Sequence, residues 1–247
     1  MLARDENPKS FEKRLERLVH RGLLQRVEHI GILRMLQLTD AGFLRLKNGV
    51  DYLKEEGFAS EAVWHDFLIV ALQLGLWAMA KPKGVDIVSE QELRRFHRQD
   101  LPYWIPNCES HRPDGFTRFK TESGTRLIAY EVEISRKLSD RYESAAQFYS
   151  SLPEIDSVIW LVRDEFLMKM IQSRIQLIEG PRPEVHNFIL LKTFQDKFWD
   201  AEVISGHQRG RTLVEMMSLM SRTPVDALSL ACRKTLIPDF LKKLATS

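Results

Sequence analysis

Three carboxylates are the residues of this chain best placed to do chemistry: Asp114, Glu131 and Glu133. In residues 125–134, Ile128, Tyr130, Val132 and Ile134 alternate with Leu127, Ala129, Glu131 and Glu133, which is the period of a β-strand. The two glutamates therefore project from one face, their Cα atoms ~7 Å apart. A second strand-like segment, residues 114–120, comes before, and Ser123-Gly124 lies between the two. If those two residues form the hairpin loop, strand pairing sets Asp114 opposite Glu133 and diagonal to Glu131. Three like charges on one patch repel and raise one another's pKa. A hard divalent cation removes that repulsion, and carboxylate oxygens are the ligands that Mg2+ or Mn2+ prefers. Such an ion lowers the pKa of bound water and neutralises charge on a phosphate. Glu-x-Glu alone more often marks a solvated strand face; the Pro113-Asp114 turn leading into the first strand favours a site.

The elements that must position these groups follow from periodicity and breakers. A helix is predicted over residues 60–80, broken by Lys81-Pro82-Lys83-Gly84. Residues 85–89 read as a short strand, 90–98 as polar helix or loop, and the proline-bearing stretch 101–112 as irregular. After the acidic strand come a helix over 136–151 and the apolar strand 157–162. A helix over 165–179, ended by Gly180-Pro181, precedes a strand over 185–191. Helices over 212–221 and 224–235 close the chain, with Met216, Met217, Leu219 and Met220 as packing or a subunit interface. The expected class is α/β, a mixed sheet flanked by helices.

Arg112-Pro113-Asp114-Gly115 followed by Tyr130-Glu131-Val132-Glu133 resembles the PD-(D/E)xK signature of restriction endonucleases and related DNA-cleaving enzymes. The resemblance covers residues 60–205 and implies a restriction-endonuclease-like sheet with Asp114 and Glu131 as metal ligands. The position two residues beyond Glu131 is usually lysine in that family; here it is Glu133, as in some restriction enzymes, and it would help bind metal or activate water. Lys137, expected on the following helix, would supply the missing positive charge. The family's first core helix often lends a polar residue, which makes His65 or Glu61 a further catalytic candidate; a lone histidine on an apolar helix is more often a hydrogen-bonded core residue.

The N-terminal fifty residues are basic, with ten Lys or Arg against six Asp or Glu, and the stretch after Gly206 has seven against three, although the whole chain carries only +2. Pro8 and Ser10 are expected to open a helix, with Ser10 as N-cap, on which Phe11, Leu15, Leu18 and Val19 recur at helical spacing. Gly22 stops it, a short hairpin turns near residues 29–31, and Thr39 caps a new helix with Asp40 in its first turn. This order resembles the second half of a winged helix-turn-helix module, recognition helix then wing, with the preceding helices missing. By that resemblance Lys13, Arg14, Arg17 and Arg21 contact double-stranded DNA. The expected organisation is a partial winged-helix-like module over 1–57, bounded near Gly57, a nuclease-like domain over 58–205, and a helical extension over 206–247. Such a fusion, carrying Glu-Val-Glu-Ile-Ser-x-Lys after Pro-Asp-Gly, is similar to plasmid replication–relaxation proteins and MOBC-type mobilisation relaxases. The implied activity is metal-dependent DNA nicking at a transfer origin, with other mobilisation or replication proteins as partners. The rivals are a replication or partition protein that binds DNA without cutting it, and a restriction-type nuclease acting as a homodimer.

Other constellations are weaker. His97, Cys108 and His111 lack the paired spacing of a zinc site, although His111 could contact phosphate. Tyr142 and Tyr149, seven apart beside Ala145, Ala146 and Phe148, read as packing rather than as covalent nucleophiles. No glycine-rich phosphate loop or nucleophile elbow is present. The apolar run 67–80 is shorter than a membrane span and contains Gln73, the first residues lack a secretory core, and two cysteines fit a reducing cytoplasm.

Overall fold

The computed structural model describes residues 8–29, 33–49, 63–80, 85–121 and 124–221 of the 247. The chain divides into two compact units, one of Met1–Glu61, Arg94–Asp100 and Ser247, the other of Ala62–Leu93 and Leu101–Thr246.

The first unit contains α1 (Pro8–His20), β1 (Leu24–His29), β2 (Leu33–Leu38) and α2 (Asp40–Lys47). Helix α1 starts at Pro8, whose fixed φ and absent N–H suit a first turn, so Ser10 lies inside the helix and is not its N-cap. Leu15, Leu18 and Val19 are half-buried, while Lys13, Arg14, Arg17 and, just past the helix, Arg21 are exposed. Gly22, at φ 65°, ends α1: its N–H reaches Val19 O at 2.9 Å and Leu23 N–H reaches Leu18 O at 3.0 Å, a turn that favours glycine. Strands β1 and β2 form an antiparallel ribbon, and Thr39 Oγ1 caps α2 by accepting from Gly42 N at 3.0 Å, as expected.

The second unit is built on a five-stranded mixed sheet in the order β3-β4-β5-β6-β7. Helix α3 (Val63–Ala80) precedes β3 (Val85–Ser89), after which α4 (Glu90–Arg95) begins. Strands β4 (Gly115–Thr121) and β5 (Gly124–Glu133) continue an antiparallel meander. Helix α5 (Ser139–Ser150) returns the chain to β6 (Ser157–Val162), parallel to β5, and α6 (Glu165–Leu177) leads to β7 (His186–Leu190), parallel to β6. Helices α7 (Leu191–Lys197) and α8 (Leu213–Ser221) follow. The α/β class is as expected. Among the described residues no helix is long and apolar enough to cross a membrane.

Both faces of β5 are covered. Ile128, Tyr130 and Val132 pack with Leu68 and Leu72 of α3 and with Met216 and Met217 of α8, which are core residues. Leu127 and Ala129 pack on the other side with Tyr149 of α5, Trp160 of β6 and Ile171 of α6. The period-two alternation in β5 thus separates two interiors, not an inside from an outside.

Two expectations need correction, and others fall outside the described residues. Thr121 pairs with Gly124, so Gly124 belongs to the ladder, and Gly115 pairs with Tyr130. Asp114, next in register, therefore lies opposite Glu131 rather than Glu133. A shift of two residues keeps the parity of the pairing, but the Asp114 carboxylate turns to the strand edge, where it accepts from Val132 N. Helix α5 starts at Ser139, so Lys137 sits in the segment before it and not on the helix. Gly57, Glu61 and the helix expected over 224–235 lie outside the described residues.

Candidate functional site

Strand β4 begins at Gly115, which leaves β5 without a neighbour on that side beyond Tyr130. The last ladder bond there is Asp114 N–H to Tyr130 O, 3.0 Å. Val132 points its N–H and C=O the same way, and a buried strand cannot leave them unpaired. The Asp114 carboxylate takes the first, Oδ2 accepting from Val132 N at 2.6 Å, and His65 of α3 takes the second, with Nε2 2.9 Å from Val132 O. Asp114 and His65 thus finish the sheet edge where β4 peels away. His65 Nε2 is also 3.5 Å from Asp114 Oδ2. Gly115 permits this close approach of α3: a Cβ there would stand 1.9 Å from Nε2 of the buried Gln73.

The three acids are buried, Asp114 to 7% exposure and Glu131 and Glu133 to 3% each, which removes the solvated-face alternative. Glu131 and Glu133 share the face of Ala129, as period two requires. Each carboxylate has its own partners. Glu131 Oε1 receives His111 Nε2 at 2.6 Å and the hydroxyl of Tyr149. Glu133 Oε1 receives Lys137 Nζ at 2.6 Å, while Glu133 Oε2 is buried with no hydrogen-bond partner. Burial pushes the Glu133 carboxyl up to about 7, with Glu131 and Asp114 adding to the rise and Lys137 opposing it. Burial disfavours the Lys137 ammonium, but Glu133 outweighs that and holds its pKa above the usual lysine value.

His65, Asp66 and Glu90 are the group of three metal-type side chains, among the described residues, whose ligand atoms lie within 4.8 Å of one another. Asp114, Glu131 and Glu133 are not such a group. Burial lowers the pKa of His65, yet hydrogen bonds to Asp114 and Asp66, with the charge of Glu90 nearby, overcome it and carry the imidazole to about 10. That direction favours an imidazolium among those acids. For His111, burial works against the charged form and the Glu131 carboxylate reverses it, leaving the pKa raised.

Of the site residues expected from sequence, Asp114, Glu131, Glu133, Lys137 and His65 come together at one end of β5. His97, Cys108 and His111, set aside as a zinc site on their spacing, form no such group among the described residues: His111 serves Glu131, and Cys108 Sγ donates to Pro106 O at 3.4 Å. Tyr142 and Tyr149 are buried, at 2% and 0% exposure, as packing predicts, but their hydroxyls are engaged at the site. Tyr142 Oη accepts from Lys137 N at 2.9 Å, and Tyr149 donates to Glu131. Burial, followed by the Glu131 charge, drives the Tyr149 phenol far above its ordinary pKa. Spacing showed that these rings face inward; Tyr142 meets a backbone N–H in the segment just before its own helix, whereas the group that Tyr149 meets lies on β5.

Comparison with protein-family models, curated proteins and solved structures finds no significant match to this chain.

Proposed function

We propose that this chain is a metal-dependent DNA endonuclease in which Asp114, Glu131 and Glu133 receive Mg2+ or Mn2+ at the end of the β4–β5 ladder. The observation that carries the reading is a buried acidic cluster in which one carboxylate oxygen, Glu133 Oε2, has no hydrogen-bond partner, although His65, His111 and Lys137 already stand beside the acids. Asp114 lies opposite Glu131, Glu133 is two residues on, and one Glu133 oxygen has no partner. Burial of carboxylates that lack full compensation is costly unless a cation joins them. The donor set fits a hard ion, being all oxygen, and the order of helix, antiparallel strands, helix and parallel strand agrees with the PD-(D/E)xK resemblance.

An ion held there supplies a more acidic bound water and a positive charge against the phosphate. The chain's own groups do the rest. Glu133, buried beside Lys137 with one oxygen unpartnered, can help bind the ion or take a proton from water. Lys137 Nζ, half-exposed beside it, can stabilise developing charge on a phosphate oxygen. Tyr149 is a buried, hydrogen-bonded phenol, which favours water over a tyrosine as the attacking group. The exposed Lys13, Arg14, Arg17 and Arg21 would hold duplex DNA by its phosphates. Strand nicking at a plasmid transfer origin is the biology that the relaxase resemblance implies.

Supercoiled plasmid incubated with Mn2+ tests this directly. Conversion to open circle, abolished by Asp114→Asn, is the expected result. Linear product would mean a restriction-type cut of both strands by a dimer. Unchanged plasmid that is nevertheless bound would overturn cleavage in favour of a non-cutting DNA-binding protein. Replacing Arg14 and Arg17 by Ala should weaken duplex binding and lower the salt slope by ~0.9 for each phosphate no longer neutralised. An unchanged slope would remove α1 from the interface.

A further inference from the structure

We infer that Tyr149 and His111 form a clamp that positions Glu131 for the metal, so that their hydrogen bonds set the affinity of the site. The inference rests on the metal-centre reading above. Both donors converge on one atom, Glu131 Oε1: His111 Nε2 at 2.6 Å from the loop before β4, and the Tyr149 hydroxyl from α5. A free carboxylate rotates about its last torsion; one oxygen gripped from two directions does not. The rings brace one another. His111 stands edge-on to Phe148 and Tyr149, with centroids 5.4 Å and 5.6 Å apart, and Tyr149 is wholly buried against Trp160 and His186.

The position of His111 in the sequence gives the clamp its second effect. It is three residues before Asp114, so its bond to Glu131 ties the loop that delivers Asp114 to the strand that delivers Glu131. The two carboxylates are brought into register by this bond as well as by the ladder. Partners of ligating carboxylates that orient them in this way change metal affinity by ~10–100-fold when removed. Tyr149 and His111 act through Glu131 and are positioning residues.

The test is Mn2+ binding by the full-length protein without DNA, read from the loss of the free-ion signal in electron paramagnetic resonance, alongside melting temperature in EDTA. Tyr149→Phe removes only the hydroxyl, and His111→Ala removes the other donor. Each is expected to weaken Mn2+ binding ~10–100-fold. His111→Gln, whose amide N–H can stand in for Nε2–H, is expected to recover most of that loss. Mn2+ affinity within about twofold of wild type in Tyr149→Phe and His111→Ala, with only the melting temperature lowered, would make the clamp structural and overturn the inference. In that case, loss of Mn2+ binding in Asp114→Asn would leave the metal-centre reading standing. Wild-type protein that binds no Mn2+ would overturn both.

Discussion

Asp114 holds the strand edge and is proposed to hold the metal, and two substitutions separate those duties. In Asp114→Ala the Val132 N–H loses its acceptor, Asp114 Oδ2 at 2.6 Å, in a buried place where no strand covers β5. A buried donor left unmade costs ~1–3 kcal/mol. For a domain of 150–250 residues each kcal/mol moves the melting temperature by about 2–4 °C. Asp114→Ala should therefore melt roughly 2–12 °C below wild type in EDTA. Asp114→Asn keeps a carbonyl oxygen for Val132 and should recover most of that stability while losing a negative charge and a hard ligand. His65 would respond as well: Asp114 is the foremost of the groups that raise its pKa to about 10, so in Asp114→Asn the imidazole should titrate at lower pH, visible by NMR. The assay is thermal unfolding in EDTA beside plasmid cleavage in Mn2+. Equal stability of the Ala and Asn variants would refute the strand-edge argument, and wild-type cleavage by Asp114→Asn would refute Asp114 as a ligand.

Further perturbations test other parts of the fold. His186 accepts from Trp160 Nε1 at 2.9 Å through Nδ1, and burial, helped by Arg182, lowers its pKa from 6.5 to about 3. The unfolded state binds the extra proton between those values, so stability should fall as pH drops from about 6.5 towards 3, by at most ~1.4 kcal/mol per pH unit for this one group. His186→Asn keeps an acceptor for Trp160 but cannot take up the proton, and urea unfolding at pH 7 and 4.5 should show a smaller acid loss in it; equal losses would assign the acid sensitivity elsewhere. Gly115→Ala would drive a methyl to 1.9 Å from Gln73 Nε2 and should cost ~1–3 kcal/mol. Adding Gln73→Ala should recover part of that loss, and strictly additive effects in the double mutant would refute the clash.

Much of the site was legible because period two is a local property. Alternation in residues 125–134 assigned Glu131 and Glu133 to one face, and that is where they lie. The Gly22 stop and the Thr39 cap were equally local, since each closes its own turn. The hairpin register was not legible: Ser123-Gly124 is an acceptable two-residue loop, and only the pairing of Thr121 with Gly124 moved Asp114 from opposite Glu133 to opposite Glu131. Ser10 has the chemistry of an N-cap, but Pro8 suits a first turn and the helix begins there.

By itself the sequence determined which side chains could carry charge and which of them share a face, because side-chain alternation follows from backbone geometry residue by residue. Tertiary structure alone decided that the acids are buried, since burial depends on α5 and α6 covering a face that the alternation would equally present to water. It also decided their partners. Tyr149 and His111 meet Glu131 from 18 and 20 residues away, and His65 meets Val132 from 67, separations over which no local pattern reports direction. The two tyrosines show the division most clearly: heptad spacing turned them inward, and the fold set a buried glutamate at the hydroxyl of one of them.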